Sequence, residues 1–297
     1  MTKEEILQKL RFDMELRGKQ PPTIESYISK VRKYQDHFDK PADQMSEAEI
    51  SEYLHYLLTV KKNGKNTVNN YNSALRFVYR TTLDTPISYE KVPRLKQNRR
   101  IPVLFTRDEV RRILGSTKTL IQKSMLMLAY GSGLRLSEIT NLKAADIESD
   151  KMRILVRHGK GDRDRYAMLP QTTLYTLREY WKRYLPKDWL FEAPQKGGRY
   201  LNATLADAFK SALKKSGVTT PGSIHRLRAC FATHFYEDHH DILALQKLLG
   251  HARLDSTAWY TQLADAEILG LKSPIDSLTE KCGRKPEASP DKEVADA

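Results

Sequence analysis

A basic segment that contains one proline and is followed by another divides the chain and limits its fold more than any other feature. Residues 91–100 (KVPRLKQNRR) contain five basic side chains and no acidic one, with Pro93 inside the segment and Pro102 just beyond it. Because proline lacks a backbone donor and disfavours helix in the residue before it, we expect an extended linker between two domains. The predicted parts are residues 1–90 as a first domain, 91–104 as the linker, 105–275 as a second domain, and 276–297 as a polar, disordered tail.

The linker has two interpretations. It can be a solvated hinge, or it can lie along a nucleic-acid backbone and join two domains that grip DNA from opposite sides. The charge of the chain favours the second, because 50 Lys and Arg against 37 Asp and Glu give a formal net charge of +13. A merely soluble basic surface is the alternative, but a balance this basic indicates an anionic partner, above all nucleic acid.

The first domain is predicted to be helical. Four segments place apolar residues at helical spacing, and four helices in about 80 residues can close a small core. Ser46 and Glu49 form a capping-box pattern before the third helix, and Asn66 or Thr67 can begin the fourth. The aromatic residues of these segments could touch bases, but we interpret them as core. The four stripes contain Ile6, Leu7, Leu10 and Met14; Ile24, Tyr27, Ile28, Val31, Tyr34 and Phe38; Ile50, Tyr53, Leu54 and Leu57; and Val68, Tyr71, Leu75 and Val78.

The second domain mixes helices with a small sheet. Thr106 and Glu109 form a second capping-box pattern, and residues 152–157 and 165–169 suit two strands joined by a glycine-containing hairpin. We therefore predict a mainly α chain with a small antiparallel β-sheet, an α+β fold. Further helices are predicted at 110–114, 120–130, 135–142, 172–185, 203–215, 225–237, 242–249 and 256–263.

Cysteine usage and hydropathy limit the cellular compartment in which the protein is expected to act. Cys230 and Cys282 are far apart, and neither lies in a metal-ligand pattern, so we expect no disulfide framework and no metal. The first residues lack the apolar core of a signal peptide. No apolar run approaches the roughly 20 residues that span a bilayer. We expect a cytoplasmic protein with no membrane partner.

Two positions in the first half of the second domain can bind an anion. Arg135 follows Gly131-Ser-Gly at a predicted helix start, where backbone amides favour negative charge. Glu138, one turn later, could support an arginine or a histidine. Lys160 lies at the tip of the predicted hairpin, where its ammonium can reach a phosphate or donate a proton. Taken singly, a surface arginine and a charged β-turn explain these patterns equally well.

The second half of this domain adds four candidates. His225 and Arg228 are three residues apart and share a helix face. Leu227 belongs to a different, apolar face of the same predicted helix. An arginine can grip two phosphate oxygens, and a histidine can move protons near neutral pH. His251 follows Leu-Leu-Gly, and Tyr260 follows nine residues later. A tyrosine hydroxyl can be a covalent nucleophile, although one tyrosine among fifteen is ordinarily core.

In this order the motifs resemble those of the tyrosine recombinases, also called the phage integrase family. The matching positions are Arg135 in G-x-G-L-R-x-S-E, Lys160 in G-K-G, His225 and Arg228 in H-x-L-R before F-A-T-H, His251 in L-G-H, and Tyr260. The match covers about 105–265, whereas the first domain resembles the family's DNA-binding core-binding domain only in general pattern. The flanking segments look most similar to integron integrases and transposon-borne relatives, but the stretch between Lys160 and His225 is short for an integron integrase.

The resemblance implies a catalytic tyrosine-recombinase domain and a reaction. Tyr260 would attack a DNA phosphate to form a 3′-phosphotyrosine, Lys160 would protonate the leaving 5′ oxygen, and His225 would act as acid or base. Arg135, Arg228 and His251 would hold the phosphate, with no cofactor and no metal. The implied partners are double-stranded DNA, a homotetramer on two DNA sites, and accessory DNA-bending proteins. The segment after Tyr260 can pack on its own subunit or on a neighbour.

Two other functions stay open at this point. A type IB topoisomerase would share the fold and relax DNA by cutting one strand. A DNA-binding regulator would keep the fold without the chemistry. The complete motif set favours DNA recombination over both.

Overall fold

The computed structural model describes residues 1–96, 103–157, 164–193, 198–250 and 257. The chain divides into two compact units, Met1–Arg100 and Ile101–Ala297. Helices predominate in both, and the second unit adds a small antiparallel sheet, so the predicted fold class is confirmed. Within the described ranges, no helix has both the length and the apolarity to cross a membrane.

Residues 1–96 of the first unit contain four α-helices around one core. Ser46 and Glu49 form the predicted capping box, whereas the fourth helix starts earlier than predicted, because Gly64 is its extended N-cap. A π-helical turn at Val78–Thr82, which was not predicted, extends that helix. The helices are α1 (Lys3–Leu16), α2 (Pro21–Phe38), α3 (Glu47–Thr59) and α4 (Lys65–Phe77).

Aromatic side chains form much of this core, as predicted. Tyr34 is fully buried and Tyr53 is 3% exposed. The hydroxyls of Tyr34 and Tyr79 are 3.2 Å apart, and Tyr79 also donates to the Ala42 carbonyl at 2.7 Å. These bonds satisfy phenolic groups that would otherwise be costly to bury.

Part of the predicted linker is anchored to the first unit. Three side chains of one α4 face, Asn69, Asn72 and Arg76, donate to backbone carbonyls of residues 87–95. Val92 is 1% exposed. Residues 91–96 therefore run along the first unit, while residues 97–102 lie outside the described ranges.

The described part of the second unit packs seven α-helices and three strands around a separate core. Thr106 and Glu109 form the predicted capping box. The strands are β1 (Ile147–Glu148), β2 (Arg153–Val156) and β3 (Arg165–Met168), antiparallel in the order β1-β2-β3, with Ile154 opposite Ala167. The helices are α5 (Arg107–Gly115), α6 (Leu120–Gly131), α7 (Leu136–Thr140), α8 (Gln171–Tyr184), α9 (Asn202–Lys215), α10 (Ile224–His239) and α11 (Ile242–Leu249).

The predicted hairpin is formed by β2 and β3, whose connecting residues 158–163 lie outside the described ranges. β1 was not predicted, because two residues are too few to show a strand period. The predicted helix at 256–263 also lies outside the described ranges except for Thr257, which is fully buried. The predicted tail, 276–297, lies wholly outside them.

Candidate active site

A sharp turn after α6 precedes Arg135 and determines its position. Gly133 has a φ of +62°, and a Cβ atom there would lie 2.4 Å from the ring of Phe231. Glycine is therefore required by conformation and by space. Arg135 follows as the N-cap of α7. Because α7 has only five residues, the guanidinium of Arg135 offers an anion more than the start of this short helix does.

Glu138 on α7 is the buried centre of an ionic cluster. Its carboxylate accepts hydrogen bonds from the Arg135 amide at 2.8 Å and the Arg135 Nη1 at 2.6 Å. Both carboxylate oxygens also accept from the two Nη atoms of Arg165, each at 2.8 Å. A third guanidinium, that of Arg228, is 3.7 Å away. Glu138 thus supports arginines, as the sequence suggested.

The environment of Glu138 keeps it charged. Burial alone raises the pKa of this carboxyl, but hydrogen bonds and charge from Arg165, and then from Arg135, lower the pKa to about 2. Glu138 is therefore a carboxylate throughout the neutral range. It acts as a fixed acceptor that orients the arginines and not as a proton donor.

The cluster keeps an excess of positive charge. Arg135, Arg165 and Arg228 bring three cations to one carboxylate, so these four side chains carry a net charge of +2. The Arg135 side chain is 25% exposed, against 10% for Arg165 and 8% for Arg228. An anion approaching from solvent therefore meets Arg135 most readily, and guanidinium groups match phosphate oxygens in geometry and charge.

Arg228 lies on α10, a helix that packs against the core. Leu227 and Phe231 of α10 are buried, which fixes the helix against the core. Arg228 donates from Nη1 to the Gly133 carbonyl at 2.5 Å and from Nη2 to the Leu249 carbonyl at 2.7 Å. These bonds join α10 to the turn before Arg135 and to the end of α11.

The end of α11 makes a second close contact. Gly250 follows it with a φ of +63°, and a Cβ atom there would lie 2.4 Å from Cδ of Arg165. The Arg165 Nε donates to the Leu248 carbonyl at 3.1 Å. Leu248 and Leu249 therefore accept hydrogen bonds from Arg165 and Arg228, shortly before His251 in the sequence.

The structure brings together three of the predicted residues, Arg135, Glu138 and Arg228. His225 lies one turn before Arg228 on α10 and is exposed. Lys160, His251 and Tyr260 lie outside the described residues. Arg165 was not predicted, because it belongs to the run Asp-Arg-Asp-Arg, in which sequence alone does not separate an arginine that binds a buried carboxylate from a solvated one.

Cys230 on α10 is buried and lies close in sequence to Arg228, but its thiol is unreactive at neutral pH. Burial raises the pKa of its thiol to about 11, and its sulfur accepts a hydrogen bond from the Phe105 amide at 3.3 Å. A thiol with that pKa is protonated at neutral pH and is a poor nucleophile. Among the described residues, no three His, Cys, Asp or Glu side chains converge as a metal site requires.

Two family models match the chain, one in each unit. Residues 104–267 match the phage integrase family, and residues 6–89 match the phage integrase N-terminal SAM-like domain. Together these matches cover most of the sequence.

Relatives match over nearly their full lengths. The putative integrase/recombinase y4qK of Sinorhizobium fredii is 34% identical over 287 residues, which are 96% of this chain and 93% of that protein. The tyrosine recombinase XerA of Thermococcus kodakarensis is 32% identical over 268 residues, with coverages of 87% and 91%. A lambda integrase tetramer bound to a Holliday junction shares the fold, with a TM-score of 0.71 at 20% identity over 92% of this chain and 80% of that one.

Proposed function

The chain belongs to the phage integrase family and is a site-specific tyrosine recombinase, and on that premise we propose that it cuts and rejoins DNA through a 3′-phosphotyrosine at Tyr260. The observation that carries this assignment is the cluster of three arginines around Glu138, with its excess of positive charge. Such a cluster favours a phosphate over a neutral or cationic ligand. The ordered motifs add the nucleophile and the proton-transfer groups to the same domain.

The arginines stabilise the charge that develops during phosphoryl transfer. Negative charge is spread over the non-bridging oxygens in the transition state, and donors fixed in advance stabilise it most effectively. Arg135, held by Glu138, and Arg228, held by the Gly133 and Leu249 carbonyls, supply such donors. His251 adds a further hydrogen bond to the same phosphate.

The remaining residues handle the covalent bonds and the protons. The Tyr260 oxygen forms a bond to the scissile phosphorus while the bond to the 5′ oxygen breaks. His225 receives the phenolic proton, and Lys160 gives a proton to the leaving 5′ oxygen. The same steps in reverse, with a 5′ hydroxyl from another strand, rejoin the DNA. The phosphotyrosine conserves the bond energy, so rejoining needs neither ATP nor a metal.

The partner of the chain is DNA, and we propose double-stranded sites bound by a homotetramer. The tetrameric assembly of lambda integrase on a Holliday junction supports this arrangement. Residues 1–90 would act as the DNA-binding core-binding domain and 105–275 as the catalytic domain, joined by the basic segment. Accessory DNA-bending proteins and the similarity to integron and transposon integrases remain predictions.

Covalent capture tests the function directly. The protein is incubated with a pool of duplexes carrying randomised inverted repeats, and DNA that stays bound in detergent is recovered and sequenced. We expect wild type and Tyr175→Phe, a matched change at an exposed tyrosine of α8, to capture DNA, and Tyr260→Phe to capture none. Capture by Tyr260→Phe would move the nucleophile to another residue.

The recovered site then separates the three activities. Exchange of strands between two labelled duplexes is expected of a recombinase. Relaxation of a supercoiled plasmid carrying the site, without exchange, would indicate a type IB topoisomerase. Binding without any covalent product would indicate a regulator and would overturn the proposal.

A further inference from the structure

We propose that Arg165 is a positioning residue, which fixes Glu138 and the end of α11 relative to one another so that Arg135 and His251 meet the same phosphate. The inference rests on the proposed function, because His251 and the phosphate enter through it. Arg165 itself need not touch DNA. It lies on β3, the strand that follows Lys160 in the sequence.

The contacts of Arg165 span three separate segments of the chain. Its two Nη atoms donate to the two oxygens of Glu138, 27 positions earlier in the sequence. Its Nε donates to the carbonyl of Leu248, 83 positions later. One rigid, planar group thus sets the distance between α7 and the end of α11.

The chemistry of this contact requires arginine. A guanidinium presents several donors in a fixed plane, so it can hold a carboxylate at two points and a carbonyl at a third. A lysine ammonium could contact the carboxylate or the carbonyl but would not fix their relative orientation. The side chain is 10% exposed, so water does not replace these contacts easily.

The close contact between Gly250 and the Arg165 side chain also supports this positioning role. Gly250 allows the Arg165 side chain to lie directly against the backbone after α11, since a Cβ atom there would meet Cδ at 2.4 Å and Nε at 3.0 Å. The close approach therefore depends on both residues. His251 is the next residue along the chain, which connects this contact in sequence to the proposed site.

The test compares Arg165→Gln with Arg153→Gln in single-turnover capture of the recovered duplex. Arg153 is a matched control on the same sheet: it stacks on Tyr166 at 3.7 Å and pairs with Glu148. Because a misplacement of about 1 Å can cost about 100-fold in rate, we expect Arg165→Gln to slow capture about 100-fold and Arg153→Gln to stay near wild type. The affinity for the duplex should change less than about 3-fold, since the phosphate contacts remain largely in place.

Rescue and coupling distinguish positioning from a general loss of structure. Arg165→Lys should recover part of the rate. Arg165→Gln combined with Glu138→Gln should be no slower than the slower single variant, because the two residues act as one unit. Gly250→Ala should reproduce the slow capture, with Gly217→Ala as its control, because Gly217 has a similar φ of +66° and nothing within 4 Å.

Amide hydrogen exchange of residues 242–249 gives a readout that is independent of DNA cleavage. Faster exchange in Arg165→Gln than in Arg153→Gln supports the anchor even if Arg165→Gln is too slow to capture DNA. Equal capture rates and equal exchange in these two variants would overturn the inference. If wild type and Arg153→Gln both fail to capture DNA, the proposed function fails, while the exchange comparison still decides the role of Arg165.

Discussion

Arg228 donates a hydrogen bond from Nη2 to the carbonyl oxygen of Leu249 at 2.7 Å. A residue expected to bind the phosphate therefore also holds the end of α11, two positions before His251. Its second donor is bonded to Gly133, just before Arg135. The geometry of the site thus depends on the same side chain as its charge.

Replacing Arg228 by lysine should therefore reduce both stability and activity. A lysine keeps the charge but has one nitrogen in place of the two Nη atoms that bond the two carbonyls, and a buried carbonyl left without a donor costs about 1–3 kcal/mol. We expect that loss in the free energy of unfolding from urea denaturation, and a fall in covalent capture of about 100-fold or more. Unchanged stability would show that the two carbonyl contacts are dispensable.

Gly133→Ala should destabilise the second unit more than Gly217→Ala. Both glycines have positive φ, near +62° and +66°, so both substitutions strain the backbone by about 1–2 kcal/mol. Only at Gly133 does the new methyl group also meet Phe231 at 2.4 Å, and overpacking of that kind adds about 1–3 kcal/mol. Thermal unfolding of the two variants measures the difference, and equal melting temperatures would contradict the close contact.

The Glu138 carboxylate should make stability depend on pH in a defined range. The pKa of this group in the folded protein is about 2, below its ordinary 4.5. Its contribution is therefore fully present above pH 4.5 and is lost as the pH falls toward 2. We expect the stability difference between wild type and Glu138→Gln to shrink by about 2 kcal/mol between pH 6 and pH 3. A constant difference across that range would contradict the low pKa.

Arg76 should control the accessibility of the segment that leaves the first unit. Its guanidinium donates to the carbonyls of Ile87, Ser88 and Val92, and a lysine cannot satisfy all three. We expect trypsin to cut after Lys91 faster in Arg76→Lys than in wild type. The control is Arg80→Lys, because Arg80 is exposed. Equal cleavage in the two variants would show that Arg76 does not anchor the segment.

Periodicity was sufficient to predict the long elements of the fold. Helix α8 was expected at 172–185 and is observed at Gln171–Tyr184, because its apolar stripe packs on the core and reveals its period. Short or irregular elements gave no such signal. The two-residue strand β1 and the π-helical turn at Val78–Thr82 depend on their neighbours and not on a local pattern.

The sequence predicted only those site residues that belong to a family motif. The motifs indicated Arg135, Glu138 and Arg228, and these three residues lie together. Arg165 was missed because its partners lie 27 and 83 positions away, and no local pattern encodes such a contact. The anchoring of Val92 was missed for the same reason. A basic, proline-containing segment suggests a free linker, because its sequence does not show that its backbone carbonyls accept hydrogen bonds.

The central claim is that Tyr260 carries the DNA. Trypsin digestion of captured complexes should release residues 254–272 (LDSTAWYTQLADAEILGLK), in which Tyr260 is the single tyrosine. After nuclease treatment, mass spectrometry should find this peptide with a nucleotide joined through its 3′ phosphate, and fragmentation should locate the added mass on Tyr260. A nucleotide on any other peptide, or captured complexes in which residues 254–272 are always unmodified, would contradict the account.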